Sequence, residues 1–224
     1  VPYHCYSASS DRMRVAAIQM HAVLGEVDTN LKHASRFVEK AARQGAKAVV
    51  LPEFFTTGLG YHPSMMHAHR PLNGKPMQML KQLSRDLQIW LGGSYLAESD
   101  GHVYNTFVLA VPDGRIFTHD KDFPTADMEQ LLYAGGEDNE FFKLLKKPII
   151  RQVIPERKGN IKSGVFDIGD FRIGNAMCWE LVRKRTDRRL LEGKTDLILA
   201  GSGWWHFSDP KEPAEQLGGT EQHW

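Results

Sequence analysis

Apolar positions in this chain fall into short solid runs separated by helical stripes. Arg14 to Met20 is an apolar run bounded by charge, which predicts a buried strand. Asp28 and Thr29 are helix-capping types, and behind them Leu31, Ala34, Val38, Ala41 and Ala42 recur at helical spacing until Gly45 ends the pattern. Ala48 to Leu51 is a second solid run, closed by Pro52, so strand, helix and strand follow one another as in a βα-type unit. The pattern then repeats. Pro76 suits a first helical turn, Leu80, Leu83 and Leu87 follow, and Ile89 to Gly93 predicts a strand.

Hairpins replace this alternation in the middle of the chain. Val103 to Val111 reads as a long strand, Pro112-Asp113-Gly114 as turn chemistry, and Arg115 to His119 as the returning partner. Residues 146–163 are polar, with two prolines, and read as an insertion or loop. Gly164 to Ile168 and Phe171 to Met177 form a second hairpin around Gly169-Asp170, followed by a charged helix over roughly 180–193 and a strand at Asp196 to Ala200. No repeat recurs at a solenoid period. Helices and hairpins feeding one sheet system predict a layered α/β domain with mixed sheets.

Composition narrows the function classes. The 224 residues suffice for one full domain. Lys plus Arg (28) nearly cancels Asp plus Glu (27), which leaves no basic field for nucleic acid. Arg183-Lys-Arg and Arg188-Arg189 are interrupted by Asp187, and no aromatic stacking platform accompanies them. No apolar run is long enough to span a membrane. Residues 1–13 read as a loose leader and 14–224 as the domain. The two cysteines, Cys5 and Cys178, exclude a disulfide scaffold and fit a reducing, cytoplasmic compartment. His62, His67 and His69 lie in a Met- and Pro-containing loop, with spacings that do not suit a zinc site. No metal is expected.

Three positions combine reactive chemistry with a strand end. Cys178 closes the apolar run Ile173 to Met177 ahead of a helical segment, a corner that favours the thiolate. Taken alone, it reads more readily as inert packing. Glu53 follows Pro52 and is flanked by Phe54 and Phe55, a setting suited to a general base; by itself it also reads as a strand-rim carboxylate. Lys121, in His-Asp-Lys-Asp-Phe-Pro-Thr, suits an oxyanion partner or an ordinary turn lysine. A papain-like pairing of Cys178 with His206 lacks its local signature.

The order Leu-Pro-Glu-Phe-Phe (51–55), Lys121-Asp-Phe-Pro-Thr with Glu129, and Met-Cys-Trp-Glu (177–180) resembles the nitrilase, or carbon–nitrogen hydrolase, superfamily. Arg14-Val-Ala-Ala-Ile-Gln19, Asn30, Gly45 to Glu53, Gly58 and Arg189 to Asp196 extend the resemblance over about residues 14–205. It implies an α-β-β-α sandwich and a Glu–Lys–Cys triad. Glu53 then matches the general base, Lys121 the oxyanion-stabilising lysine and Cys178 the nucleophile. Glu129 matches a further glutamate that positions the lysine or substrate, and Trp179 offers its backbone N–H to the oxyanion. The resemblance implies no cofactor, a small nitrile or amide substrate, and a homo-oligomer.

The sequence also departs from the family pattern. The interval between Lys121 and Cys178 is long because of residues 146–163, and no proline follows the cysteine in Glu180-Leu-Val-Arg-Lys-Arg. Family chains continue beyond the equivalent of Trp224, so a shortened sandwich lacking final strands is expected. Cys178-Trp-Glu favours the nitrilase branch. Amidase and N-carbamoyl amino acid hydrolase activities share the triad, and a non-catalytic hydrolase-fold subunit is the alternative of another class. The aromatic run Trp204 to Phe207 reads as a pocket lining or an interface.

Overall fold

Period-two alternation places two different cores on the two faces of one sheet. The computed structural model describes residues 12–59, 67–122, 124 and 164–203. The first elements are β1 (Val15–Ala17), α1 (Val27–Arg43), β2 (Ala48–Val50), β3 (Arg70–Pro71) and α2 (Lys75–Leu87). Strands β4 (Trp90–Ser99), β5 (His102–Ala110) and β6 (Ile116–Asp120) complete the larger sheet, ordered β1-β2-β4-β5-β6 with β3 beside the far end of β4. Strands β1, β2 and β4 run parallel, whereas β4, β5 and β6 are antiparallel. Val49, Leu91, Tyr95, Val108 and Ala110 face α1 and α2, burying the stripe Leu31, Ala34, Val38, Ala41 and Leu80. Val50, Phe107 and Leu109 point the other way.

That second face meets a smaller sheet, β7 (Val165–Asp167), β8 (Arg172–Asn175) and β9 (Leu197–Leu199). Phe166, Ile173, Met177 and Leu199 fill the space between the sheets. Helix α3 (Lys184–Glu192) covers β8, with Leu190 lying where any Cβ on Gly174 would go. The layers are therefore helix, sheet, sheet, helix, the expected sandwich. None of the helices among the described residues is long and apolar enough to cross a membrane.

Several local expectations change. The 14–20 run forms only β1, at the sheet edge with one neighbour, and Val15 is 51% exposed rather than buried. Helix α1 starts at Val27 with Glu26 as its cap residue, so Asp28 lies in the first turn, where it accepts a hydrogen bond from Lys75 of α2. Strand β4 continues well past Gly93, because it pairs with β5 from Leu91 opposite Ala110 to Ser99 opposite His102. Asp100 and Gly101, both at positive φ, turn that hairpin. The charged helix is two pieces. A short 3-10 turn, Cys178–Val182, is separated from α3 by Arg183 in an extended conformation. The leader up to Asp11, Cys5, His62, Glu129, the 146–163 segment, Trp204 to Phe207 and His206 lie outside the described residues.

Candidate active site

Four strand ends converge where the two sheets meet. Glu53 follows β2 through Leu51 and Pro52. Leu51 N–H bonds Gly92 O at 2.7 Å and Phe55 N–H bonds Ser94 O at 3.2 Å, so β4 holds the chain on both sides of the glutamate. The Glu53 side chain is fully buried, and three donors converge on it. Lys121 Nζ donates to Oε1 at 2.8 Å, Asn105 Nδ2 donates to Oε1 at 2.7 Å, and Gly203 N–H donates to Oε2 at 2.8 Å. A buried carboxylate needs such compensation.

Lys121 leaves β6 one residue beyond its end and is itself fully buried, which removes the solvated-turn reading. Its backbone N–H bonds Asn105 O at 2.9 Å. Asn105 on β5 thus fixes the lysine's backbone through its carbonyl and the glutamate through its amide.

Cys178 lies just beyond β8 and is partly exposed. Its φ of 47° is a left-handed conformation, costly for a residue with a Cβ. The strained corner is held by Cys178 N–H donating to Gly201 O at 2.9 Å. The thiol lies 3.7 Å from Gly203 O, within sulfur hydrogen-bond range. Gly203 therefore touches the thiol through its carbonyl and Glu53 through its N–H. Gly201 approaches closely on the other side. A Cβ there would lie 2.9 Å from Glu53 N and 3.0 Å from Leu51 O. The Gly201-Ser202-Gly203 segment after β9 thus joins the Cys178 corner to the Glu53 turn. The Trp179 side chain projects outward and is half exposed.

A second buried group adjoins the first. Glu180 Oε1 accepts from Asp122 N–H at 2.8 Å and Oε2 accepts from Met177 N–H at 2.7 Å. His119 Nε2 lies 3.2 Å from Oε1 and 3.3 Å from Oε2. Burial works to raise the Glu180 carboxyl, but attraction to His119 and these hydrogen bonds outweigh it and bring it down to about 2. Burial raises the Asp122 carboxyl, against attraction to His119 and Arg189. His119, Asp122 and Glu180 bring possible ligand atoms within 4.8 Å of one another. However, Arg189 Nη1 donates to Asp122 Oδ2 at 2.6 Å, and backbone N–H groups hold both Glu180 oxygens. The donor set is that of an ion-pair network, not of a cation site. His69, from the histidine loop, pairs with Glu98 at 3.4 Å.

Sequence pattern marks Glu53, Lys121 and Cys178 but not Asn105, His119, Glu180 or Gly203. Glu180 had a signal in Cys178-Trp-Glu, and Gly203 in the glycines after the last strand. Asn105 and His119 look like ordinary strand residues.

Comparison with known proteins agrees with this architecture. The chain is 27% identical over 190 residues to a nitrilase of Pyrococcus abyssi, covering 83% of this chain and 63% of that protein. It is 38% identical over 112 residues to the omega-amidase NIT2 of Danio rerio, covering 49% of this chain and 40% of that protein. It spans less than two thirds of the length of these relatives. The fold is shared with the amidase from Nesterenkonia sp. AN1 at a TM-score of 0.66 and 20% identity, over 88% of this chain and 69% of that one. That structure shows acrylamide added at the active-site cysteine of the amidase. The carbon–nitrogen hydrolase family profile matches residues 14–218, and the chain belongs to that family.

Proposed function

We propose that this chain carries the active centre of a thiol hydrolase that cleaves the carbon–nitrogen bond of a small amide or nitrile. The observation that carries the reading is the fully buried Lys121–Glu53 pair at 2.8 Å, joined to Cys178 through Gly203. A buried ion pair is a poor way to gain stability, and packing alone does not call for one beside a strained cysteine.

For an amide, Glu53 accepts the thiol proton and the thiolate sulfur attacks the carbonyl carbon. Lys121 and the backbone N–H of Trp179 stabilise the oxyanion. Protonated by the Glu53 carboxyl, the nitrogen leaves as ammonia and a thioester remains on Cys178. Glu53 then takes a proton from water, whose oxygen attacks the thioester. The carboxylic acid departs and the thiol is restored. A nitrile first forms a thioimidate on Cys178; one water then adds, ammonia leaves, and the same thioester remains. Glu129 belongs to this proposal through the family resemblance, as a group that positions Lys121 or the substrate.

The nitrilase and omega-amidase relatives support this substrate class. The test is ammonia release from a panel of nitriles, ω-amides and N-carbamoyl compounds, with mass spectrometry of Cys178. Turnover of a nitrile or ω-amide with acyl mass on Cys178 supports the reading. Turnover of carbamoyl compounds alone moves the chain to that branch. Full activity in Cys178→Ala, or no turnover and no acylation with any substrate, sinks it.

A further inference from the structure

We propose that Glu180 is a positioning residue that locks the chain segment carrying Lys121 to the corner carrying Cys178. The inference rests on the active-centre reading above and assigns a role to a residue outside the triad. Lys121 belongs to the larger sheet and Cys178 to the smaller one, so their mutual placement depends on what ties the sheets together at this point. The apolar layer between the sheets is not directional. Glu180 supplies a directional tie between the Lys121 segment and the Cys178 corner.

Its carboxylate holds the immediate chain neighbour of each reactive residue. Asp122 N–H, one residue after Lys121, donates to Oε1, and Met177 N–H, one residue before Cys178, donates to Oε2. His119, two residues before Lys121, reaches both oxygens from β6. The Met177 bond has the form of half a capping box, with the third residue of the turn reaching back to its entry. The same carboxylate thus ends β8, starts the turn at Cys178 and grips the Lys121 segment. Arg189 of α3 extends the tie by donating to Asp122 Oδ2 and to Asn175 O on β8. Among the described residues, the charged and titratable groups facing Glu180 are His119 and Asp122 on the β6 side, with Arg185 and Arg189 of α3 beyond Asp122.

A glutamine at position 180 has one acceptor oxygen where three donors converge, and its NH2 opposes one of them. A misplacement of about 1 Å between reacting groups is enough to cost roughly a hundredfold in rate. The experiment uses the full chain and a substrate the parent hydrolyses. It compares Glu180→Gln, Glu180→Asp and His119→Phe by kcat, KM, the pH profile, the rate of iodoacetamide alkylation at Cys178 and the circular-dichroism melt. Alkylation reads the site without turnover.

Expected for Glu180→Gln is a loss of roughly tenfold to a hundredfold in kcat, a KM within about twofold, and a changed pH dependence of alkylation. Glu180→Asp, which keeps the carboxylate, regains part of kcat. His119→Phe keeps both backbone bonds but removes the partner that favours the ionised carboxylate. Its acidic limb of kcat, and of alkylation, therefore moves to higher pH. A folded Glu180→Gln protein with parental kcat and alkylation overturns the proposal. If that variant fails to fold, an unmoved acidic limb in folded His119→Phe overturns it instead. Parent activity that survives Cys178→Ala overturns the active-centre reading itself, a distinct result from Glu180 variants that leave a Cys178-dependent activity untouched.

Discussion

Glu53 accepts from Lys121, Asn105 and Gly203 with no exposure to water, so removing its charge has two separable consequences. Under the proposed chemistry, Glu53→Gln lowers kcat/KM by about 10²- to 10⁴-fold, the range for a lost general base. Glu53→Leu also strands the buried Lys121 charge, a loss of about 3–5 kcal/mol for a broken buried pair. The double variant Glu53→Leu/Lys121→Met, which removes both charges, should unfold at higher urea than Glu53→Leu alone. Equal midpoints would mean that water reaches the lysine. Glu180 adds a pH signature. Against burial, His119 and the two backbone hydrogen bonds bring its folded-state carboxyl down from the ordinary 4.5 to about 2, so its contribution is complete above about 4.5 and is lost as pH falls towards 2. Asp122, raised by burial, works in the opposite sense and softens that loss. Urea melts from pH 7 downward should show parental stability falling through this window. Glu180→Gln, less stable at neutral pH, should fall less steeply. Parallel curves for the two proteins would show that Glu180 is not the group titrating. At this scale the sequence was readable only where chemistry and strand end coincide, at Glu53, Lys121 and Cys178. Asn105 lies 52 positions from Glu53 and Gly203 lies 150, and a polar residue or glycine shows no sign in sequence of so distant a partner.

Elements were legible where one face is apolar and a neighbour enforces it. Helices α1 and α2 end near their sequence signals, with Gly45 at a φ of 86° after the first. Strands β5 and β6 were visible because turn residues flank them. Two features were not legible, for the same physical reason. The break at Arg183 follows a 3-10 turn whose Glu180 side chain is drawn back to Met177 and Asp122, a tertiary contact invisible to periodicity. The two-residue β3 exists only because β4 runs on far enough to pair with it. The close approach of the segment after β9 to the turn after β2 yields a prediction for these elements together. In Gly201→Ala the methyl meets Glu53 N and Leu51 O, both backbone atoms that cannot rotate away. The segment must shift and carry the Gly201 O–Cys178 N–H bond with it. Overpacking of this kind costs about 1–3 kcal/mol, and alkylation of Cys178 should change along with the melt. A variant with parental melting and alkylation would show that the segment yields without moving the corner.

The four layers and their order could be anticipated from pattern and resemblance, whereas the outward face could not, because nothing in a sequence says which apolar side chains stay uncovered. The turn after Cys178 and helix α3 pack against each other and together expose Trp179, Leu181, Val182 and Leu191, the last two at 68% and 77%. Large exposed apolar side chains clustered on adjoining elements ordinarily mark an interface. The family resemblance implies self-association, so the partner we predict is a second copy of this chain. Such a contact would bear directly on the turn that begins at Cys178. Its position depends on a strained φ of 47° and a few hydrogen bonds, so covering the turn should stiffen the corner and couple assembly to rate. The double variant Val182→Glu/Leu191→Glu places charge on that face without touching the buried network. Light scattering across a dilution series should show the parent as a dimer or larger at micromolar concentration and the variant shifted towards monomer. Specific activity should fall with the shift. A parent that is monomeric at micromolar concentration with undiminished specific activity would remove both the association and the coupling.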